Sequence, residues 1–219
     1  FIEISETQIA TVPQLEWQSE SSVTPSLVLD PGDGRMLETA GESEAAAHGW
    51  FLVHGTPALR TGTVLLAVDT DAGRVCSEEL TFDSGLLSVE LPEITLSSYD
   101  PEGSEGGYTL AHLMTEGQNF MTILNEQGEY TWAAPISGGP GVAIGRDRQS
   151  LLYLKPDVDK KGSKGSISTT DSGEIVRMGL DGEVLEAVEM TGMHMDFVEL
   201  PDGGFATLGF ETREFTDET

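Results

Sequence analysis

Short apolar stretches separated by turn residues run along the whole chain, and helical periodicity is nearly absent. Glycine (26 residues) and proline (10 residues) divide the sequence into runs rich in valine, isoleucine, leucine, threonine and aromatic residues. Such runs, bounded by turn residues, are typical of β-strands. The pattern therefore predicts an all-β protein in which under a tenth of the chain is helical.

The first ninety residues contain seven predicted strands, at residues 2–5, 12–18, 26–30, 35–39, 50–54, 63–69 and 79–82. Residues 30–34 and 69–73 supply the proline, aspartate and glycine that tight reversals need. Trp17 lies in the second strand, where a two-sheet sandwich places a large ring in its core. The order of these features resembles a fibronectin type III module. We therefore expect a fibronectin III-like β-sandwich at residues 1–92 and a polar linker at 93–106.

Beyond the linker the sequence repeats. Residues 123–130 and 178–184 both read as strand, turn and strand, and a Gly-Glu pair recurs in them 54 residues apart. A second type of hairpin alternates with them, at 141–154 and 195–210. Two hairpins per period of about fifty residues give four strands per period, as in a propeller blade. Residues 107–219 are thus predicted to form an incomplete β-propeller of four-stranded antiparallel blades.

The number of predicted blades is small. A propeller closes with about 4 to 8 blades, whereas residues 107–219 provide about two. We therefore expect either that the chain is a piece of a longer protein, or that a partner chain or a second copy covers the open blade edge. An uncovered edge strand would invite aggregation.

The charge of the chain excludes some classes of partner. Thirty-eight acidic residues against eleven basic ones give a net charge of -27, which repels the phosphate backbone that dominates nucleic-acid affinity. The longest apolar runs, such as residues 64–68, are far shorter than the roughly 20 residues needed to cross a bilayer. Neither a nucleic-acid partner nor a membrane span is expected.

The stretch at residues 194–203 reads His-Met-Asp-Phe-Val-Glu-Leu-Pro-Asp-Gly. Weaker segments precede it in order, at residues 12–17, 49–53, 91–92, 107–110 and 128–132. Together and in this order they resemble the bacterial arylsulfotransferases. The resemblance implies a sandwich followed by a six-bladed propeller, a periplasmic or secreted location, and no cofactor. It also implies transfer of a sulfuryl group from a phenolic sulfate ester to a phenol through a histidine in the propeller channel.

His194 is the residue onto which this role maps, while Met195 stands where the family often has a second histidine. A neutral imidazole is a good nucleophile near pH 7. Residues i and i+2 share one face of a strand. Asp196 could therefore fix the tautomer of the His194 imidazole only if the side chain of Asp196 turns back toward it. A histidine bonded to the backbone of a neighbouring blade is the alternative for His194.

The negative charge that develops on the sulfate during transfer needs stabilisation by cationic side chains. The candidates are Arg146, Arg148 and Arg177. Arg146 and Arg177 are the predicted substrate-binding residues. All four lysines fall within residues 155–164, which form either an anion-binding loop or a solvated loop between strands.

The remaining reactive side chains are expected to be structural. His48, His54 and His112 lack the spacing of a zinc site, and Cys76 is predicted to be a small buried hydrophobe. No metal site is predicted, although the aspartates of two turns leave a weak calcium site open; they are Asp30, Asp33, Asp69 and Asp71. A non-catalytic extracellular binding or assembly protein is the alternative to the enzyme.

Overall fold

The computed structural model describes residues 1–40, 44–87, 89–97, 100, 107–139, 141–156, 172–191 and 193–209. In these ranges the chain forms 17 strands and no helix. The predicted all-β class is therefore confirmed. None of the described residues belongs to a helix of the length and apolarity that a bilayer crossing requires.

Eight strands make up the first part of the chain. They are β1 (Ile2–Ser5), β2 (Gln14–Val23), β3 (Ser26–Asp30), β4 (Leu37–Ala40), β5 (Ala46–Leu52), β6 (Thr61–Thr70), β7 (Gly73–Cys76) and β8 (Leu80–Asp83). The seven predicted strands are all present, β1 and β3 with the predicted bounds. The fifth begins four residues earlier than predicted, because Ala46 pairs with Val23 of β2.

These strands form two antiparallel sheets, which we call the N-terminal sheet pair. One has the order β1-β2-β5, and the other has the order β4-β3-β6, with β7 and β8 both pairing with β6. One core cluster draws on both sheets; its buried members are Leu15, Trp17, Leu27, Leu29, Val53, Val64, Leu66 and Phe82. The prediction that Trp17 is a core residue is therefore confirmed.

Trp17 constrains the strand beside it. Its register partner on β5 is Gly49, and a Cβ at Gly49 would lie only 2.9 Å from the indole nitrogen of Trp17. Only glycine leaves room for the ring at this point, which explains a glycine inside a strand.

The prediction that Cys76 is buried was wrong. Cys76 is exposed and belongs to β7, a strand that the sequence pattern did not predict. All four residues of β7 are exposed, and this strand pairs only with β6. It therefore lacks the alternation of apolar and polar residues by which a half-buried strand is recognised.

Three further antiparallel sheets follow. The first contains β9 (Thr109–Thr115), β10 (Gln118–Leu124) and β11 (Tyr130–Ile136); the second contains β12 (Val142–Ile144), β13 (Ser150–Pro156), β14 (Ser172–Gly179) and β15 (Val184–Thr191); the third is the hairpin of β16 (Met193–Glu199) and β17 (Phe205–Gly209). All four predicted hairpins are present. Among the described residues, one sheet has the predicted four strands, in the order β12-β13-β14-β15.

The chain divides into two compact units. The first unit comprises Phe1–Ala111, Thr122–Ala134 and Leu180–Gly182, and the second comprises His112–Met121, Pro135–Gly179 and Glu183–Thr219. In the first unit, the turn between β10 and β11 contacts the N-terminal sheet pair. Arg60 forms an ion pair with Glu129, and the backbone nitrogen of Ala58 donates to the carbonyl of Tyr130 at 3.2 Å. The first unit thus includes more of the chain than the predicted sandwich at residues 1–92.

In the second unit, the β16–β17 hairpin packs against the four-stranded sheet. Phe197 and Phe205 face each other edge to face, with 6.2 Å between ring centroids. Both rings pack on the buried cluster of Leu152, Leu154 and Ile175. This apolar contact fixes which face of β16 is turned toward the sheet.

Candidate functional site

The predicted catalytic residues belong to β16. The backbone of His194 is part of this strand, but its side chain lies outside the described residues, and its catalytic role stays a prediction. Asp196 is exposed, and its Oδ1 accepts a hydrogen bond from the backbone nitrogen of Phe197 at 2.9 Å. The carboxylate of Asp196 is therefore engaged with the backbone of its own strand.

The last four residues of β16 separate into two faces. Asp196 and Val198 are exposed, whereas Phe197 and Glu199 are half-buried. Because side chains alternate along a strand, Glu199 lies on the face that Phe197 turns toward the four-stranded sheet. The pairing of β16 with β17 is irregular between Met193 and Phe197.

Glu199 joins two parts of the four-stranded sheet. Its Oε1 accepts from Nη2 of Arg177 on β14 at 2.7 Å, and its Oε2 accepts from the backbone nitrogen of Arg146 at 2.7 Å. Only 10% of the Glu199 side chain and 13% of the Arg177 side chain is exposed. A charge-assisted pair shielded to this degree is stronger than an ordinary surface ion pair.

Arg177 has further partners. Its Nη1 donates to Oγ of Ser150 at 3.0 Å and lies 3.4 Å from Oδ2 of Asp147, while its Nε lies 3.5 Å from Oε2 of Glu186. Asp147 also accepts from the backbone nitrogen of Ser150 at 2.9 Å, which closes the turn between β12 and β13. We call Glu199, Arg177, Asp147, Ser150 and Glu186 the Glu199 cluster.

The pKa values of the cluster follow from these contacts. The hydrogen bond from the Arg146 backbone, together with the guanidinium of Arg177, holds the pKa of Glu199 below its usual range, although partial burial works in the opposite direction. Burial also opposes ionisation of Asp147, but hydrogen bonds from Gln149 and Ser150 outweigh it and lower the pKa of Asp147. Burial disfavours the charge on Arg177, yet Glu199 and Asp147 raise its pKa. All three groups are therefore charged near neutral pH.

The structure brings Arg146 and Arg177 together through Glu199, on the face of β16 opposite Asp196. The contribution of Arg146 is its backbone nitrogen, since its side chain is exposed. The guanidinium of Arg177 contacts three carboxylates. An incoming sulfate would therefore have to displace a carboxylate from Arg177. Substrate binding by these arginines stays a prediction. The third candidate, Arg148, is exposed in the same turn as Arg146.

Acid should weaken the second unit through Glu199. A carboxyl group whose pKa is lowered by folding stabilises the folded state above its unfolded pKa, here about 4.5, and loses that contribution as the pH falls through the folded value. We expect Glu199→Gln to lower the free energy of unfolding by a constant amount between pH 6 and 8, on the order of 1 kcal/mol. The difference from the wild type should shrink below about pH 4.5, as measured by urea unfolding at each pH. A difference that grew toward acid pH would contradict the assignment.

Glu199 was not among the predicted site residues, although the sequence contains a signal for it. Glu199 stands two residues after Phe197, on the same face of a strand, so the pattern places a charged group beside a core ring. A buried carboxylate needs a partner. What the sequence did not indicate is that the partner would be Arg177, which lies 22 residues away on another sheet.

The other candidate residues have local partners. His112 on β9 lies 3.1 Å from Oδ1 of Asn119 through its Nε2, and Lys155 pairs with Glu174 at 2.8 Å. Asp30 accepts hydrogen bonds from two backbone nitrogens of its own turn, and Asp33 pairs with Arg35 at 2.6 Å. The lysines at positions 160, 161 and 164 lie outside the described residues. Within the described ranges, no three His, Cys, Asp or Glu side chains cluster in a way that could hold a metal ion.

No protein-family model matches the chain, and no curated protein sequence matches it. The proposed function therefore rests on the sequence stretches and on the strand arrangement alone.

Proposed function

We propose that the chain is an arylsulfotransferase-like protein in which His194 accepts a sulfuryl group from a phenolic sulfate ester and passes it to a phenol. The observation that carries this proposal is the arrangement of strands. The two sheets β1-β2-β5 and β4-β3-β6, the latter with β7 and β8 on β6, support a fibronectin III-like sandwich, and the antiparallel meander β12-β13-β14-β15 supports a propeller blade. The family that residues 194–203 resemble has both a sandwich domain and a propeller.

The position of β16 in the repeat supports the choice of His194. β16 follows the four-stranded sheet directly and pairs with β17 as β12 pairs with β13. In a propeller the first strand of each blade is the innermost one and lines the channel. Under this proposal β16 is the first strand of the next blade, and His194 lies near its start.

The reaction has two balanced steps. In the first, a neutral imidazole nitrogen of His194 attacks sulfur, the bond between sulfur and the donor's phenolic oxygen breaks, and the phenolate leaves. In the second, the oxygen of the acceptor phenol attacks the same sulfur, the bond between nitrogen and sulfur breaks, and the imidazole is restored. The proton that the acceptor loses balances the one that the departing phenolate takes up.

The decisive experiment uses 4-nitrophenyl sulfate as donor and a phenol as acceptor. We expect no release of nitrophenolate from these 219 residues alone, because two blades do not enclose a channel. If the parent gene encodes further blades beyond Thr219, the longer protein should turn over, and His194→Ala should lower its rate at least about 100-fold by removing the nucleophile.

His112→Ala in the longer protein is the matched control, since His112 already has Asn119 as a partner. Its rate should stay within about twofold of the wild type. Full activity in His194→Ala would refute the proposal. A rate in the 219 residues alone that His194→Ala abolishes would instead overturn the expectation that further blades are needed. A protein without turnover in any form would favour the second candidate.

That second candidate is a non-catalytic extracellular binding or assembly protein, and the Glu199 cluster favours it. Three carboxylates surround the guanidinium of Arg177, which is one of the arginines expected to assist a sulfate. Mass spectrometry separates the candidates directly. The longer protein is incubated with the donor ester and no acceptor. If it is an enzyme, its mass should increase by one sulfuryl group located on His194, whereas a binding protein should stay unmodified.

A further inference from the structure

The N-terminal sheet pair contains a cleft of about 200 Å³ that lies within the first unit. The residues that line it and matter for its chemistry are Leu27, Leu29, Leu37, Thr39, His54 and Tyr108. Leu27 pairs with Thr39, and Leu29 with Leu37, across strands β3 and β4. Paired residues share one face of a sheet, and Leu27 and Leu29 also belong to the core cluster. The cleft therefore enters the protein on the core face of these two strands.

His54 is the main polar group of this cleft. It lies two residues after β5 and is half-buried. Among the described residues, neither of its ring nitrogens has a hydrogen-bond partner, whereas His112 has one. Burial lowers the pKa of the His54 imidazole, so the ring is neutral near pH 7. A neutral imidazole offers one acceptor and one donor nitrogen, and a ligand in the cleft could use either.

Among the described residues that line the cleft, the side chain that carries a formal charge is Glu38, and it already has partners. The carboxylate of Glu38, at the rim, accepts from Oγ of Ser26 at 2.7 Å and from Nη2 of Arg74 at 2.8 Å. Tyr108 donates its hydroxyl to the carbonyl of Gly55 at 3.3 Å. An anion would meet a protein of net charge -27. The ligand that fits these surroundings is neutral.

The size and the lining narrow the ligand further. An apolar cavity of roughly 150 Å³ is large enough to hold benzene, so about 200 Å³ suits one or two fused rings. Leucine side chains form the apolar lining, and the imidazole of His54 supplies a hydrogen-bond acceptor. We propose that this cleft binds a small, planar, neutral aromatic molecule that carries one N–H or O–H donor, with the donor bonded to His54.

The test compares two probes of the same shape. Indole carries an N–H donor, whereas indene has the same fused rings without it. In NMR titrations that follow the ring resonance of His54, indole should saturate the site and bind about threefold to tenfold more tightly than indene, the ratio that one net hydrogen bond supplies. Equal affinity for the two probes would overturn the role of His54.

Variants locate the binding. His54→Phe should abolish the preference for indole over indene. Thr39 is exposed at the rim, so Thr39→Trp should block the entrance and weaken the binding of both probes. His48→Phe is the control, because His48 is exposed on β5 and does not line the cleft. Its affinities should equal those of the wild type. Unchanged binding of both probes to Thr39→Trp would place the site elsewhere and refute the proposal, even if His54→Phe failed to fold.

Discussion

Replacing Trp132 by alanine should lower the free energy of unfolding of the first unit by about 3–5 kcal/mol. Trp132 on β11 is 1% exposed and is among the largest fully buried side chains. Its Nε1 donates to the carbonyl of Leu180 at 2.7 Å. Alanine would leave a large void and also a buried carbonyl without its donor, and both changes disfavour the folded state.

Urea unfolding, followed by circular dichroism, would measure this effect. Trp50→Ala is the matched control, since Trp50 is 56% exposed, and its cost should stay below about 1 kcal/mol. The cost of Trp132→Phe in free energy of unfolding should lie between those of Trp132→Ala and Trp50→Ala, because phenylalanine refills most of the space but cannot donate a hydrogen bond to Leu180. Equal costs at positions 132 and 50 would contradict the packing described for the first unit.

The second large effect is expected at Arg177. Arg177→Met should lower the free energy of unfolding of the second unit by about 2 kcal/mol, the scale of a hydrogen bond to a shielded charged group. The substitution removes the charged partner of Glu199, whose side chain is 10% exposed, and leaves the backbone nitrogen of Arg146 as its donor. A shielded carboxylate that has lost its counter-charge destabilises the folded state or becomes protonated.

A double-mutant cycle would separate the interaction energy between Arg177 and Glu199 from the packing lost at each position. Arg177→Met combined with Glu199→Leu should cost less than the sum of the two single changes, because the unpaired charge is gone. Lys155→Met is the control. Lys155 on β13 pairs with Glu174 on β14, the strand that also contains Arg177, but both side chains of this pair are far more exposed. Its cost should stay below about 1 kcal/mol. Hydrogen exchange in β16 should accelerate in Arg177→Met and not in Lys155→Met.

The hairpins could be predicted because their signals are local. The turn between β14 and β15 contains Asp181 and Gly182, and Gly182 adopts a positive φ of 91°, a conformation in which glycine is not penalised. The alternation in β3 buries Leu27 and Leu29 on one face. Turn chemistry and period-two patterning depend on neighbours in the sequence, so the strands followed from the sequence even though no family model matches it.

The site could be predicted only in part. The sequence indicated Arg146 and Arg177 as candidates to stabilise a sulfate, which stays a prediction, and the structure places the backbone of Arg146 and the guanidinium of Arg177 against Glu199 of β16. It did not indicate that Glu199 would bind both, nor that Arg177 would be surrounded by carboxylates. These contacts join strands that are distant in sequence, and no periodic pattern encodes which charged side chain another will meet.

The sequence by itself therefore determined the all-β class, the hairpins and the core position of Trp17, because turn propensity and alternation act over a few residues. Only the tertiary structure decided the exposure of Cys76 on an edge strand, the pairing of Glu199 with Arg177, and the unpartnered position of His54 in its cleft. Each of these depends on which strands lie side by side. That choice is made by the burial of apolar surface in the whole unit rather than by any local segment.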